Sequence, residues 1–153
     1  MKSEPESYSI DQFKRDKKTL WTGVRNYQAR NFMMSATPRS MAVGDQVLFY
    51  HSNSQPSAVV GVGEITRTDV ADPTALDPKS EYHDPKASDD HPIWFCAEVK
   101  YLGHLKTPLA LEELRTIDQL SDMLLLKKGQ RLSIMPVTQK EFHLIVKTAG
   151  GWK

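Results

Sequence analysis

Apolar residues along this chain fall into short blocks with two different periods. Gln46-Val47-Leu48-Phe49-Tyr50-His51 follows a Gly44-Asp45 turn and is nearly all apolar or aromatic, which predicts a buried strand. Residues 52–57 read as a turn. Val59 to Thr66 predicts the next strand, and its glycines at 61 and 63 imply a bend or a close backbone approach. Trp94–Leu102 and Leu132–Val137 predict two more strands. Helical signals lie between these blocks. Ser9 and Gln12 have capping-box spacing and Phe13 begins an apolar face, so a helix follows a short strand that ends at Tyr8-Ser9-Ile10. A second helix is expected from Asn26 to Met34, stopped near Pro38. Thr107-Pro108 is expected to open a helix through Leu114, with proline at its first position. Leu120 to Lys128, closed by Gly129, predicts another. Thr138 and Glu141 form a second capping box, with Phe142, Ile145 and Val146 on the buried face of the last helix. Between 69 and 92, four prolines each follow Asp or His, at Asp72-Pro73, Asp77-Pro78, Asp84-Pro85 and His91-Pro92. That pattern predicts a long exposed loop. About five or six strands interrupted by short helices predict one α+β domain over residues 1–153, in the form of a small mixed β-barrel. The pattern does not give strand order.

Composition narrows the class. The 153 residues suit one domain, and 39% hydrophobic with 25% charged residues is ordinary for a globular chain. Cys96 is the single cysteine, so no intramolecular disulfide forms; it sits in the apolar run 93–97, where an inert buried thiol is expected. No apolar stretch approaches the ~20 residues of a membrane span, and Met1 to Glu6 does not resemble a signal peptide. A cytoplasmic monomer without membrane contact is the expectation. The net charge of +1 hides segregation. Residues 1–39 carry eight Lys/Arg against four Asp/Glu, residues 127–153 carry six against one, and residues 69–90 carry two against seven. If the chain ends meet, they form a basic face suited to a polyanion, with the acidic segment apart from it or acting as a lid. Solvated surface charge is the plainer alternative.

Enzyme signatures are weak. Gly61-Val62-Gly63 lacks the Lys-Ser/Thr of a phosphate loop, and no zinc-deaminase motif is present. The five histidines form no pair at metal-binding helical spacing, so neither metal nor cofactor is expected.

Four motifs in order carry a family resemblance: Lys2-Ser3-Glu4-Pro5, Leu20-Trp21-Thr22-Gly23-Val24-Arg25-Asn26-Tyr27-Gln28-Ala29-Arg30-Asn31, Val47 to Ser52, and Arg131 to Val137. Together they resemble the EVE domain family across nearly the whole chain. The chain lacks the long basic N-terminal extension of animal members, and so resembles a minimal bacterial-type copy. The resemblance implies a PUA-like fold and binding of a modified base in DNA or RNA. EVE domains are related to YTH domains, which hold methylated adenine in an aromatic cage. Lys2-Ser3-Glu4 resembles the first-strand motif of that cage, and Trp21-Thr22 resembles its Trp-Ser pair. Glu4 stands where YTH domains usually carry Asn, so a different base is implied.

A flipped base needs an aromatic wall and fixed polar groups at its edge. Trp21, Tyr27, Tyr50 and Trp94 are the candidate walls. The Gly- and Asn-containing loop around Trp21 favours a pocket role over a core anchor, and the hydroxyl of Tyr50 favours it over Phe49. Ser3, Glu4, Thr22, Asn26, His51 and Ser52 are the candidate edge contacts, although cap and turn roles are common for such residues. Glu4 suits an exocyclic amine, as carboxylates do at cytosine N4. Lys2, Arg25, Arg30, Arg39, Lys127, Lys128, Arg131 and Ser133 are the candidate phosphate contacts. Two rival readings are kept. A hydrolase of modified nucleosides, like some ASCH proteins of the same superfamily, would use Lys2, Thr22 and Glu4. A protein-interaction module would expose Leu124-Leu125-Leu126.

Overall fold

The structure is a computed structural model that describes residues 1–35, 38 and 40–153. Five strands form one mixed sheet: β1 (Lys2–Ser3), β2 (Lys18–Leu20), β3 (Gln46–His51), β4 (Ala58–Ala71) and β5 (Phe95–Ala110), in the order β1-β3-β4-β5-β2. β1 runs parallel to β3 and the other neighbours are antiparallel. The helices are α1 (Ile10–Asp16), α2 (Tyr27–Phe32), α3 (Pro73–Leu76), α4 (Leu111–Arg115) and α5 (Gln139–Thr148).

β3 explains the layering. Its side chains alternate, with Val47 and Phe49 entering one core and Leu48 and Tyr50 the other. Ile10 and Phe13 of α1 and Ala29 of α2 cover the first face, while Leu114 of α4 and Phe142 and Ile145 of α5 cover the second. A sheet buried on both faces accounts for the continuous apolar run that the sequence shows at β3. The two glycines of β4 act as expected. A Cβ on Gly61 would lie 2.8 Å from the Gly103 carbonyl oxygen and crowd Ile10, and one on Gly63 would lie 2.9 Å from the Lys100 carbonyl oxygen. Their absence lets α1 and the bent β5 approach closely.

Five expectations need correction. The sheet is not closed into a barrel: β1 and β2 are its two edges, only two and three residues long. Residues 107–110 continue β5 rather than opening a helix. Pro108 is tolerated there because β2 pairs with β5 only at 98–100, which leaves 108 on an edge where no ladder N–H is required. The helix expected over 120–128 is two separate 3₁₀ turns, Asp118–Leu120 and Leu124–Leu126. Leu120 and Met123, three apart, take the buried positions, and Leu125 and Leu126 pack partly against the same core. Residues 132–137 form no strand. Leu132 and Ile134 still alternate into the first core, but the contact with β1 comes down to one bond, from Lys2 N–H to the Ser133 carbonyl at 2.8 Å. The loop after residue 69 is shorter than expected, because β4 runs to Ala71 and Asp72 caps the single turn α3.

Candidate nucleic-acid interface

β2 delivers the central side chain. Trp21 follows its last residue and donates its backbone N–H to Ala97 O of β5 at 2.8 Å. Thr22 N–H turns back to Leu20 O at 2.9 Å, and Gly23, at φ +78°, donates to Asp72 Oδ2 at 2.9 Å. The positive φ is why glycine occupies this corner. The Trp21 ring meets Phe49 edge-on with centroids 5.5 Å apart, and Tyr8 edge-on at 6.3 Å. It is only 8% exposed and belongs to the first core, so the loop buries an indole that its composition was expected to present openly. Among the described residues none accepts the indole N–H, yet no fully buried side-chain nitrogen or oxygen among them lacks a partner. The N–H edge of Trp21 therefore reaches solvent.

The segments that pack against Trp21 through Tyr8 and Phe49 carry several of the candidate polar groups. Ser3 of β1 stands opposite His51 of β3, and Ser52 N–H donates to Ser3 O at 3.0 Å. Glu4 is exposed, and its carbonyl accepts from Ser7 and Tyr8 in the turn that leads to α1. The Tyr82 ring covers Gly23, with three ring carbons 3.0–3.1 Å from where a Cβ would stand. Burial first, then the charge of Glu81 and more weakly that of Glu4, raises the Tyr82 phenol above its ordinary value, which places Glu4 within electrostatic reach of Tyr82. The hydroxyls of Thr22 and Ser52 have no partner among the described residues. Tyr82 was missed in the sequence; its signal was being the lone aromatic residue in the Asp- and Pro-rich stretch.

Other expected pocket members are committed to contacts of their own. Tyr50 faces the second core, since Phe49 takes the side of the sheet that Trp21 occupies, so the two cannot share a pocket. His51 accepts Ile10 N–H on Nε2 at 3.1 Å and packs edge-on to Phe49; desolvation lowers its pKa, and it serves as a neutral acceptor at the start of α1. Asn26 caps α2, accepting from Ala29 N–H at 3.0 Å. Trp94 and Tyr27 form their own stack, with centroids 4.8 Å apart and 15° between planes, and Trp94 donates Nε1–H to Asp84 Oδ2 at 2.8 Å. Trp94 belongs to neither core cluster.

The cations divide in the same way. Arg25 uses all five of its N–H donors internally, on Val24 O, Asp72 Oδ2, Thr74 Oγ1 and twice on Tyr82 O, so it holds the loop and is not available to a phosphate. Its partner Asp72 is 1% exposed and also accepts from Gly23 and Thr74. Burial pushes that carboxyl up, but the bonds from Thr74, Arg25 and Gly23 outweigh it and hold the pKa below 3.8. The acidic segment thus anchors the Trp21 loop and does not stand apart from it. Arg30 spends three donors on Asn31 Oδ1 and Ile93 O. Lys2 Nζ donates to Gln130 O at 3.1 Å, tying the two basic ends of the chain together. Lys127 binds Ser121 O; Lys128 and Arg131 are exposed without a partner among the described residues; Ser133 serves through its carbonyl. Arg39 lies outside the described residues. A cavity of about 520 Å³ opens between α5, β3 and the segment after α2, and Trp21 does not line it. No His/Cys/Asp/Glu cluster among the described residues could hold a metal ion, and no helix is long and apolar enough to cross a membrane.

These features define a mixed-sheet α+β module with an indole edge presented between strand ends and a stapled loop. The sequence profile of the EVE domain matches residues 1–148, and the chain belongs to that family. Human thymocyte nuclear protein 1 is 36% identical over 95% of this chain and 71% of its own length. A crystal structure from Pseudomonas syringae superposes with a TM-score of 0.89 at 42% identity, covering 97% of both chains. The structure of human THYN1 in complex with DNA containing 5-methylcytosine superposes with a TM-score of 0.87 at 32% identity, covering 100% of this chain and 97% of that one.

Proposed function

We propose that this protein binds nucleic acid carrying a modified base, and that the base is flipped out of its stack to lie against the Trp21 edge. The observation that carries the reading is the indole N–H of Trp21, which is unpartnered and solvent-facing on an otherwise buried side chain. A base seated there meets groups the fold has left unspent: the carboxylate of Glu4 and the hydroxyls of Thr22 and Ser52. The carboxylate suits an exocyclic amine such as cytosine N4. Lys128 and Arg131 are the candidates for phosphate contact, because neither spends a donor on a described residue. The complex of human THYN1 with 5-methylcytosine DNA supports this class of ligand.

The test is a titration of matched oligonucleotides with cytosine or 5-methylcytosine at one position, at several salt concentrations. Tighter binding of the methylated strand, weakening steeply with salt, supports the reading. Equal affinity for both strands overturns recognition of the modification. Recovery of the methylated nucleoside unchanged after long incubation separates a binder from a hydrolase.

A further inference from the structure

The Tyr27–Trp94 stack takes no part in the site just described. Trp94 is 5% exposed and fixed by its bond to Asp84, with the Arg25 guanidinium 5.2 Å from its ring. Tyr27 lies flat on it yet is 58% exposed, the least buried aromatic position among those with large exposure. The Arg30 guanidinium carbon is 4.8 Å from the Tyr27 centroid and 5.8 Å from that of Trp94, while the two rings are 4.8 Å apart. Those distances form an isosceles triangle whose longest side joins Arg30 and Trp94. Arg30 therefore lies beside the pair; a cation over the far face of Tyr27 would be much farther from Trp94. One π-face of Tyr27 is left open, and Arg30 keeps two N–H donors unused beside it.

We infer that the open face of Tyr27 stacks a second base, one flanking the modified nucleotide on the same strand, while Arg30 meets the phosphate next to it. This rests on the Trp21 reading above. The ring is held flat in advance by Trp94, so little ordering is needed on binding. Stacking on an aromatic side chain tolerates any base, as a flanking contact requires. The reach fits as well. Trp21 is bonded to Ala97 and Tyr27 lies on Trp94, three residues away along the segment entering β5. At ~3.3 Å per extended residue that is roughly 10 Å, within the span of a few nucleotides. An aromatic face with an unsaturated arginine at its edge favours nucleic acid over an apolar protein surface.

The experiment compares two probes, 5-methyl-dCMP and a single-stranded pentanucleotide with central 5-methylcytosine, in NMR titrations of the whole chain. Tyr27→Ala is expected to leave the mononucleotide affinity unchanged and to weaken the pentanucleotide roughly tenfold to hundredfold. Tyr27→Phe keeps the ring and should match the wild type for both probes. Abasic flanking positions should erase the difference between the wild type and Tyr27→Ala. Trp21→Phe should weaken both probes. If Tyr27→Ala leaves the pentanucleotide unaffected, or weakens both probes equally, the flanking platform is overturned. If Trp21→Phe changes neither probe while Tyr27→Ala still weakens the strand, the platform stands and the Trp21 reading fails.

Discussion

The guanidinium of Arg25 and the carboxylate of Asp72 meet at 2.9 Å, joining the loop after β2 to the end of β4. Asp72 is almost completely enclosed, and the same oxygen also takes the N–H of Gly23. This pair holds the Trp21 corner in place, so changes to it should be felt both in stability and at the interface.

Asp72→Ala should destabilise the fold by ~3–5 kcal/mol, because it leaves the Arg25 charge without its buried partner. Urea unfolding would show a lowered midpoint. Arg25→Lys should not be neutral, since an ammonium cannot replace five fixed donors shared among four residues. A midpoint unchanged in both variants would refute the staple.

Acid should weaken the fold in two stages with distinct sources. His51 has a folded pKa below 6.5, so the unfolded chain binds more protons as pH falls past that value. Its contribution is present above 6.5 and is lost on acidification toward its lowered folded pKa. Asp72 follows the same sign at lower pH: its contribution is present above 3.8 and is lost as pH falls through its depressed folded pKa. His51→Gln retains an acceptor for Ile10 N–H and should shrink the first stage without abolishing it, because burial also lowers the Met1 amino group to about 5, a loss of the same sign in the same range. Denaturant midpoints measured for both proteins from neutral to acid pH would check it.

Trp21→Ala should cost ~3–5 kcal/mol of stability, because the ring is a core member packed on Phe49 and Tyr8. Loss of binding in that variant would say little by itself. Trp21→Phe keeps most of the packing and removes the N–H edge. It is expected to remain folded, by thermal melting, while its affinity for a methylated oligonucleotide falls.

Glu4→Gln should leave stability within about 0.5 kcal/mol, since the side chain is exposed. It exchanges an acceptor-only group for one that both donates and accepts. The expected outcome is a changed ranking among modified bases in a competition assay; an unchanged ranking would remove Glu4 from the edge contacts.

Much of this arrangement was legible in the residues. The strand at 46–51, the capped helices beginning after Ser9, Asn26 and Thr138, and the close approach at Gly61 and Gly63 were each local, because caps, turn residues and apolar period act over a few positions. The family itself was legible in the motifs at Lys2-Ser3-Glu4 and Trp21-Thr22, as a resemblance. Partnership was not legible. Tyr50 and Phe49 are adjacent and both aromatic, and only the pairing of β3 within the sheet decides which one shares a face with Trp21. Arg25 reads as a free cation until residues 72–82 fold back to take its donors, whereas Arg30 gives only one donor to that segment, at Ile93. Pro108 read as a helix start until β5 left it on an unpaired edge. A side chain's type and spacing fix what it is able to bind, and these follow from the sequence. Whether its donors and faces are already spent depends on contacts between residues far apart in the chain, and only the tertiary structure supplies those.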